Sequence, residues 1–409
     1  MHAGRARAAS KGSLREGLSF LFKPRRGSPR YVEGMKTTPF RIDVPQATLD
    51  DLAQRLRATR WPEQPADAGW SLGTDLGFMR RLTTRWREHY DWRAHEAELN
   101  AHPQFKAEVN GTELHFVHVR GKGTNPTPLL LIHAFPDSFY RFHKVISLLT
   151  DPAAHGLDPT LSFDVVVPSL PGFGFSAPTA MAVDATADTL AQLMEGLGYR
   201  GYVAGGADGP IPMALAQRHA DAVKGIYMVD VGYPDGTTDF AALSAEEREF
   251  AQWIQGWWMR EGAFNMIQST KPQSLAFAMN DSPVGLAAWL MNLFASGAPE
   301  KVEERFGLDE LITNAMIYWV TGTIGSAMRT YLEVAHATYG NPAAPKPGRS
   351  AVPAGMARMP LDAPVPRAWA ERRVNLVHWS EPPRGGHHSS WEVPELFAGD
   401  VRDFVRKLG

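Results

Sequence analysis

Tyr202-Val203-Ala204-Gly205-Gly206-Ala207-Asp208-Gly209-Pro210 runs an apolar strand through a turn of small residues and into the start of a helix. A strand-to-helix bend that lifts a reactive side chain above a sheet is crowded, so it needs small residues two before and two after that side chain. Centred on Asp208, the flanks are Gly206 and Pro210. Centred on Ala207, they are Gly205 and Gly209, a better steric fit around a side chain that cannot react. Both registers are open at this level, and an aspartate here can also act simply as a helix cap. The bend holds no serine, which argues against a serine nucleophile at this position.

Outward from this bend, short apolar runs over 129–132, 164–167, 202–204 and 226–229 alternate with helical segments over 187–197 and 213–220. Strand–helix alternation of this length predicts an α/β fold with a mostly parallel sheet and right-handed crossovers. Residues 106–119 read as two short strands across the Asn110-Gly111 turn. Further upstream, Leu49, Leu52, Ala53 and Leu56 share one helical face with Thr48 as the expected N-cap, and more helices are expected over 76–89 and 92–100. Downstream, the alternation stops over 233–345, which is helical and aromatic, with Trp253, Trp257, Trp258, Trp289, Tyr318 and Trp319. A helical insertion in a sheet domain is how a lid over a site is built. The proline-rich stretch 342–366 reads as a connecting loop plus a strand; strands return over 351–357 and 374–379, and a helix over 394–407 closes the chain.

The expected organisation is therefore a basic, disordered tail over 1–34, an N-terminal helical domain over 35–104, a first sheet segment over 105–232, the lid over 233–345 and a second sheet segment over 346–409. In the tail, Arg5, Arg7, Lys11, Arg15, Lys23, Arg25, Arg26 and Arg30 face only Glu16 and Glu33, and Met35 is a candidate alternative start. Its apolar stretch 18–22 is far too short to span a bilayer. With 409 residues, 44% hydrophobic content, 21% charged residues and a net charge of −2, the chain has no bulk electrostatic reason to bind nucleic acid or an anionic membrane. The absence of cysteine excludes disulfides and thiolate catalysis. A cytoplasmic protein with no cofactor, no metal and no membrane span is expected, with a homodimer as a compatible assembly.

Two other regions carry chemistry. Asp362 follows Met359-Pro360-Leu361, and His387 follows Arg384-Gly385-Gly386, so an acid and an imidazole stand beyond two consecutive strands. In a parallel sheet those positions converge at one edge, as a carboxylate–imidazole pair requires. Strand 129–132 leads into His133-Ala134-Phe135-Pro136, a turn suited to aim the Phe135 N–H above the sheet as an oxyanion donor. The loop Pro168-Ser169-Leu170-Pro171-Gly172-Phe173-Gly174-Phe175-Ser176 follows the next strand and lacks the lysine and glycine spacing of a phosphate cradle.

From about Phe40 to Leu408 the chain resembles the microsomal-type epoxide hydrolases, which have an α/β-hydrolase fold. The resemblance rests on Trp61-Pro62 and Trp86-Arg87-Glu88-His89-Tyr90-Asp91-Trp92-Arg93 in the N-terminal unit. In the lid it rests on Ile267-Gln268-Ser269-Thr270-Lys271-Pro272, Asn280-Asp281-Ser282-Pro283-Val284-Gly285-Leu286 and Tyr318-Trp319, and it continues through 367–394. It implies attack of an aspartate on an apolar epoxide, lid tyrosines on the ring oxygen, and water activated by a histidine–acid pair. By position it implies Asp208 as nucleophile, His387 as base with His388 as the adjacent competitor, Asp362 as orienting acid and Tyr331 as ring-oxygen donor. The N–H groups of Phe135 and Gly209 would form the oxyanion hole, and Phe264 and Trp319 would line the substrate pocket. Departures are Phe264 where the family has a second tyrosine, Ala134 and Asp137 where it has glycines, and the Ala207/Asp208 ambiguity at the bend. The competing expectation is a homologue that only binds, or that redirects the epoxide to cyclisation or rearrangement.

Overall fold

A four-residue strand that periodicity does not announce, β1 (Thr37–Phe40), runs antiparallel to β2 (Gln104–Val109), which turns into β3 (Thr112–Val119). The turn residues Asn110 and Gly111 have φ of 51° and 73°, the left-handed pair that a two-residue hairpin demands. The structure is a computed structural model and describes residues 35–206, 208–235, 238–339 and 348–409. The tail 1–34, Ala207 and the start of the proline-rich connection lie outside the described residues.

Three helices separate β1 from β2: α1 (Gln46–Arg57), α2 (Leu76–Glu88) and α3 (Trp92–Leu99). The first begins three residues earlier than expected, because the Pro45 carbonyl takes the Thr48 N–H and Pro45, not Thr48, stands at the N-cap. Helix α2 is capped by Asp75, whose carboxylate accepts the Phe78 N–H at 2.6 Å, and it buries Phe78, Met79, Leu82 and Trp86 on one face.

The sheet continues through β4 (Thr127–Ile132), α4 (Val145–Thr150), β5 (Phe163–Pro168), α5 (Val183–Gly196), β6 (Tyr202–Gly206), α6 (Pro210–Arg218) and β7 (Val223–Met228). After the lid come β8 (Pro353–Ala357), α14 (Arg367–Arg373), β9 (Asn375–Ser380), α15 (Ser389–Glu392) and α16 (Pro394–Arg406). Strand order is β1-β2-β3-β5-β4-β6-β7-β8-β9, antiparallel up to the β3–β5 pair and parallel from β5 onward. Every residue of β5 is buried, the pattern of a strand covered by helices on both faces. The chain thus has the α/β-hydrolase fold.

Between β7 and β8 lie α7 (Ala245–Glu261), α8 (Ala263–Thr270), α9 (Pro272–Asp281), α10 (Pro283–Phe294), α11 (Val302–Phe306), α12 (Leu308–Thr321) and α13 (Ile324–Tyr339). The N-terminal helices are tied to this insertion. Arg85 grips Asp309 at the start of α12 through two hydrogen bonds of 2.7 and 2.6 Å, and the Tyr90 hydroxyl meets that of Thr313 at 2.9 Å. Arg55 on α1 reaches Asp281 at the end of α9. No described helix is long and apolar enough to cross a membrane.

Gly206 ends β6 with φ of 157°, and a Cβ there would lie 1.9 Å from the Ile132 carbonyl oxygen of β4. No movement of a flexible side chain relieves a clash with strand backbone. Gly206→Ala should therefore lower unfolding stability by more than roughly 3 kcal/mol, the range reserved for core disruptions. Urea unfolding reads it, and a midpoint equal to that of the wild type would contradict this account of the bend.

Candidate active site

Four neighbouring parallel strands, β6, β7, β8 and β9, deliver acidic or basic side chains beyond their carboxyl ends. Asp208 follows β6, Asp230 follows β7, Asp362 follows β8 and His387 follows β9. Ligand and catalytic sites of open α/β sheets form at this edge. His387 Nε2 lies 3.0 Å from Asp208 Oδ1, and His387 Nδ1 lies 3.1 Å from Asp362 Oδ2. The imidazole thus bridges two carboxylates. The other Asp362 oxygen accepts the Ala363 N–H at 2.8 Å, which fixes the acid's orientation.

Asp208 does not cap the following helix: Gly209 is the N-cap of α6 and no side-chain cap bond is formed. Its carboxylate, 40% exposed, is directed at an imidazole that is 27% exposed. Ala207, the competing centre of the bend, lies outside the described residues. Of the two adjacent histidines, His387 takes the two carboxylates, while His388 is buried and meets Asp137 and Arg141 instead.

Burial alone would depress the His387 pKa, but the charges of Asp362 and Asp208 outweigh it and hold the imidazole protonated well above its ordinary range. Burial likewise works to raise Asp362, and His387 more than reverses it, keeping this carboxyl ionised. Asp230 behaves oppositely. Burial first, then the charges of Asp208 and Asp362, push its carboxyl up to about 6, although the Tyr233 hydroxyl and the Gly232 N–H oppose the shift. Asp230 and Tyr233 escape sequence reading, since an acid after an apolar run looks like any turn residue. Its place at the end of a strand between two others that carry acids is the only available signal.

Around the three side chains, the turn after β4 and the loop after β5 are joined by a hydrogen bond from the Leu170 N–H to His133 Nε2 at 3.0 Å. Helix α12 clasps the same turn. Asn314 Nδ2 donates to the Pro136 carbonyl at 3.0 Å, and the Tyr318 hydroxyl donates to the Asp137 carbonyl at 2.6 Å. Among the described residues, neither the Phe135 N–H nor the Gly209 N–H has a hydrogen-bond acceptor. The Tyr331 ring on α13 stands edge-on to Phe135 at 5.9 Å and to Phe264 at 6.0 Å. Trp257 and Trp258 lie 6.5 and 6.4 Å beyond Phe264, completing an aromatic row. Burial first, and then the nearby Asp208 and Asp137 charges, keep the Tyr331 hydroxyl protonated. Trp319 stands apart from this row: its ring is covered by the Arg55 guanidinium at 5.8 Å, which ties it to the N-terminal helices. The chain also contains one Gly-x-Ser-x-Gly stretch, Gly69-Trp70-Ser71-Leu72-Gly73, but it forms an exposed 3-10 turn that does not follow a strand, so it builds no nucleophile elbow.

The chain is similar to known proteins over most of its length. A family model described as the N terminus of epoxide hydrolases matches residues 37–142, and an alpha/beta hydrolase fold model matches 127–302. Over 383 residues the chain is 38% identical to a relative from Stigmatella aurantiaca (strain DW4/3-1), covering 91% of this chain and 85% of that one. It is 32% identical to Epoxide hydrolase 1 of Oryctolagus cuniculus, covering 92% of this chain and 90% of the relative. The crystal structure of juvenile hormone epoxide hydrolase from the silkworm Bombyx mori is similar with a TM-score of 0.84 at 25% identity, covering 91% of this chain and 95% of that chain.

The Asp230 carboxyl has a raised folded-state pKa, so its contribution to stability is present at low pH and is lost as pH rises through about 6. Asp230→Asn removes that dependence. Between pH 4 and pH 7 the wild type should lose roughly 1–3 kcal/mol relative to the Asn variant. Urea unfolding of both proteins across this range checks it, and parallel stability profiles would contradict the charge arrangement.

Proposed function

The chain belongs to the epoxide hydrolase family, and from that premise we propose that it opens an apolar epoxide to a vicinal diol through a covalent ester on Asp208. The observation that supports this most is the Asp208–His387–Asp362 array, with contacts of 3.0 and 3.1 Å, formed beyond the carboxyl ends of β6, β8 and β9.

In the first step an Asp208 oxygen forms a bond to an epoxide carbon, and the carbon–oxygen bond of the ring breaks. The Tyr331 hydroxyl donates to the departing oxygen, which would otherwise leave as an alkoxide. Esterification removes the negative charge of Asp208, one of the charges that keeps His387 protonated. The imidazole can then release its proton, and ring opening consumes one, so the balance closes. Neutral His387, held by Asp362, next takes a proton from water. The resulting hydroxide attacks the ester carbonyl carbon, and the Phe135 and Gly209 N–H groups receive the charge that develops on oxygen. Collapse breaks the acyl–oxygen bond and releases the diol, which takes its last proton from His387.

Residues 233–345 act in this reading as the lid that brings Tyr331 over the nucleophile and supplies an apolar wall through Phe264. Phe264 cannot donate a hydrogen bond, so the epoxide oxygen receives one phenolic donor here. A second donor contributes a few kcal/mol in comparable electrostatic sites. Phe264→Tyr should therefore raise the rate of ester formation about tenfold or more in stopped-flow measurements with an aromatic epoxide. An unchanged rate would remove the missing donor as the limiting factor.

The oxygen bookkeeping gives a direct test. In a single turnover in heavy-oxygen water, the label should enter the Asp208 carboxyl and be absent from the first diol formed, and Asp208→Ala should abolish turnover. Label appearing only in the diol would mean direct attack by water. Unchanged substrate with no label would favour a binding protein on the same scaffold.

A further inference from the structure

Behind His387 lies a buried ion pair that no step of the proposed reaction uses. The side chains of Asp137 and Arg141 are 0% and 1% exposed, and they are in direct contact. Asp137 Oδ1 accepts the Ala134 N–H at 2.8 Å, in the same turn that carries Phe135. Asp137 Oδ2 faces Arg141 Nη1, with His388 Nδ1 at 3.2 Å. Arg141 Nη1 also lies 2.9 Å from His388 Nδ1, and Arg141 Nη2 donates to the backbone carbonyl of His387. Burial pushes His388 down to about 4, so Arg141 supplies the cation of this cluster.

Two side chains one helical turn apart thus reach from the turn after β4 to the backbone of the residue proposed as base. Stability does not explain the pair well. Taking both charges out of water is costly, and an apolar pair of similar size commonly holds a fold as firmly or more so. What an apolar pair cannot do is direct hydrogen bonds at two separate backbone groups. The cluster is not fully satisfied either, since Arg141 Nε is buried without a partner.

We propose that Asp137 and Arg141 are positioning residues, a buried clamp that sets the distance between the Phe135 turn and the His387 backbone so that the imidazole and the oxyanion donor address the same ester carbonyl. Neither touches substrate. Both act through His387 and Phe135, so the step they control is ester hydrolysis, in which both groups take part, rather than ester formation, which depends on Asp208 and Tyr331. The inference rests on the reading of His387 as base.

The test uses the full chain with styrene oxide, following ester formation and ester breakdown separately in single turnovers. The double variant Asp137→Leu/Arg141→Met removes both charges together and leaves no unpaired ion. It should melt within a few degrees of the wild type and form the ester within about threefold of the wild-type rate, while hydrolysing it at least about tenfold more slowly, the loss expected of a slightly misplaced base. Arg141→Lys keeps the charge but not the planar fork, and should show a smaller loss confined to the same step. Wild-type ester hydrolysis in either variant would overturn the proposal, as would an equal loss in both steps. Absence of any ester in the wild type would instead refute the reading of the reaction itself.

Discussion

One imidazole shared by two carboxylates is the interaction on which the rest of the structure depends. Asp208 and Asp362 approach opposite nitrogens of His387 at 3.0 and 3.1 Å although they are 154 positions apart in the chain. Only a parallel arrangement of β6, β8 and β9 puts their carboxyl ends at one edge. The helical insertion does not disturb this. It departs after β7, and the chain re-enters the sheet at β8, so the order of the strands is kept. The N-terminal helices are tied to the insertion through Arg85–Asp309, Tyr90–Thr313 and Arg55–Asp281.

Electrostatics narrow the possibilities further. Asp208, Asp230 and Asp362 act on one another beside a single imidazole, and three negative charges against one positive are costly in a weakly screened setting. Asp230, deepest of the three at 7% exposure, yields by holding its proton to about pH 6. That leaves Asp208 and Asp362 facing the two nitrogens of His387. Behind them, Asp137 and Arg141 form a second, self-neutralising pair, so the region under the turn after β4 adds no net charge to the site. The two clusters also differ in burial: the Asp208 and His387 side chains are 40% and 27% exposed, whereas Asp137 and Arg141 are sealed from solvent.

Much of the fold was legible in the sequence because its signals are local. The Asn110-Gly111 turn and the apolar runs over 164–167 and 226–229 correspond to elements within a few residues. Strand β1 was not legible: with four residues and two exposed side chains it has no period, and it exists only because β2 offers an edge. Thr48 misled for a related reason, since a capping side chain lost to a proline carbonyl three positions earlier. At the site, Asp362 and His387 could be read from their places after strands, whereas the register of the bend at Ala207 and Asp208 could not, because steric fit and reactivity favoured different centres. The contact from Asp208 to His387 is a long-range fact. Arg141 gave no signal at all; Asp137 and Arg141 look like an ordinary i,i+4 pair, and only the approach of His388, 247 positions away, reveals the cluster.

The central claim is that the Asp208 carboxylate attacks and that release of the ester requires His387. The most direct measurement is the intact and peptide mass of a His387→Gln variant after mixing with styrene oxide. The account predicts a stable gain of one substrate mass, located on the peptide that carries Asp208. An unmodified protein alongside diol formed at the wild-type rate would contradict it.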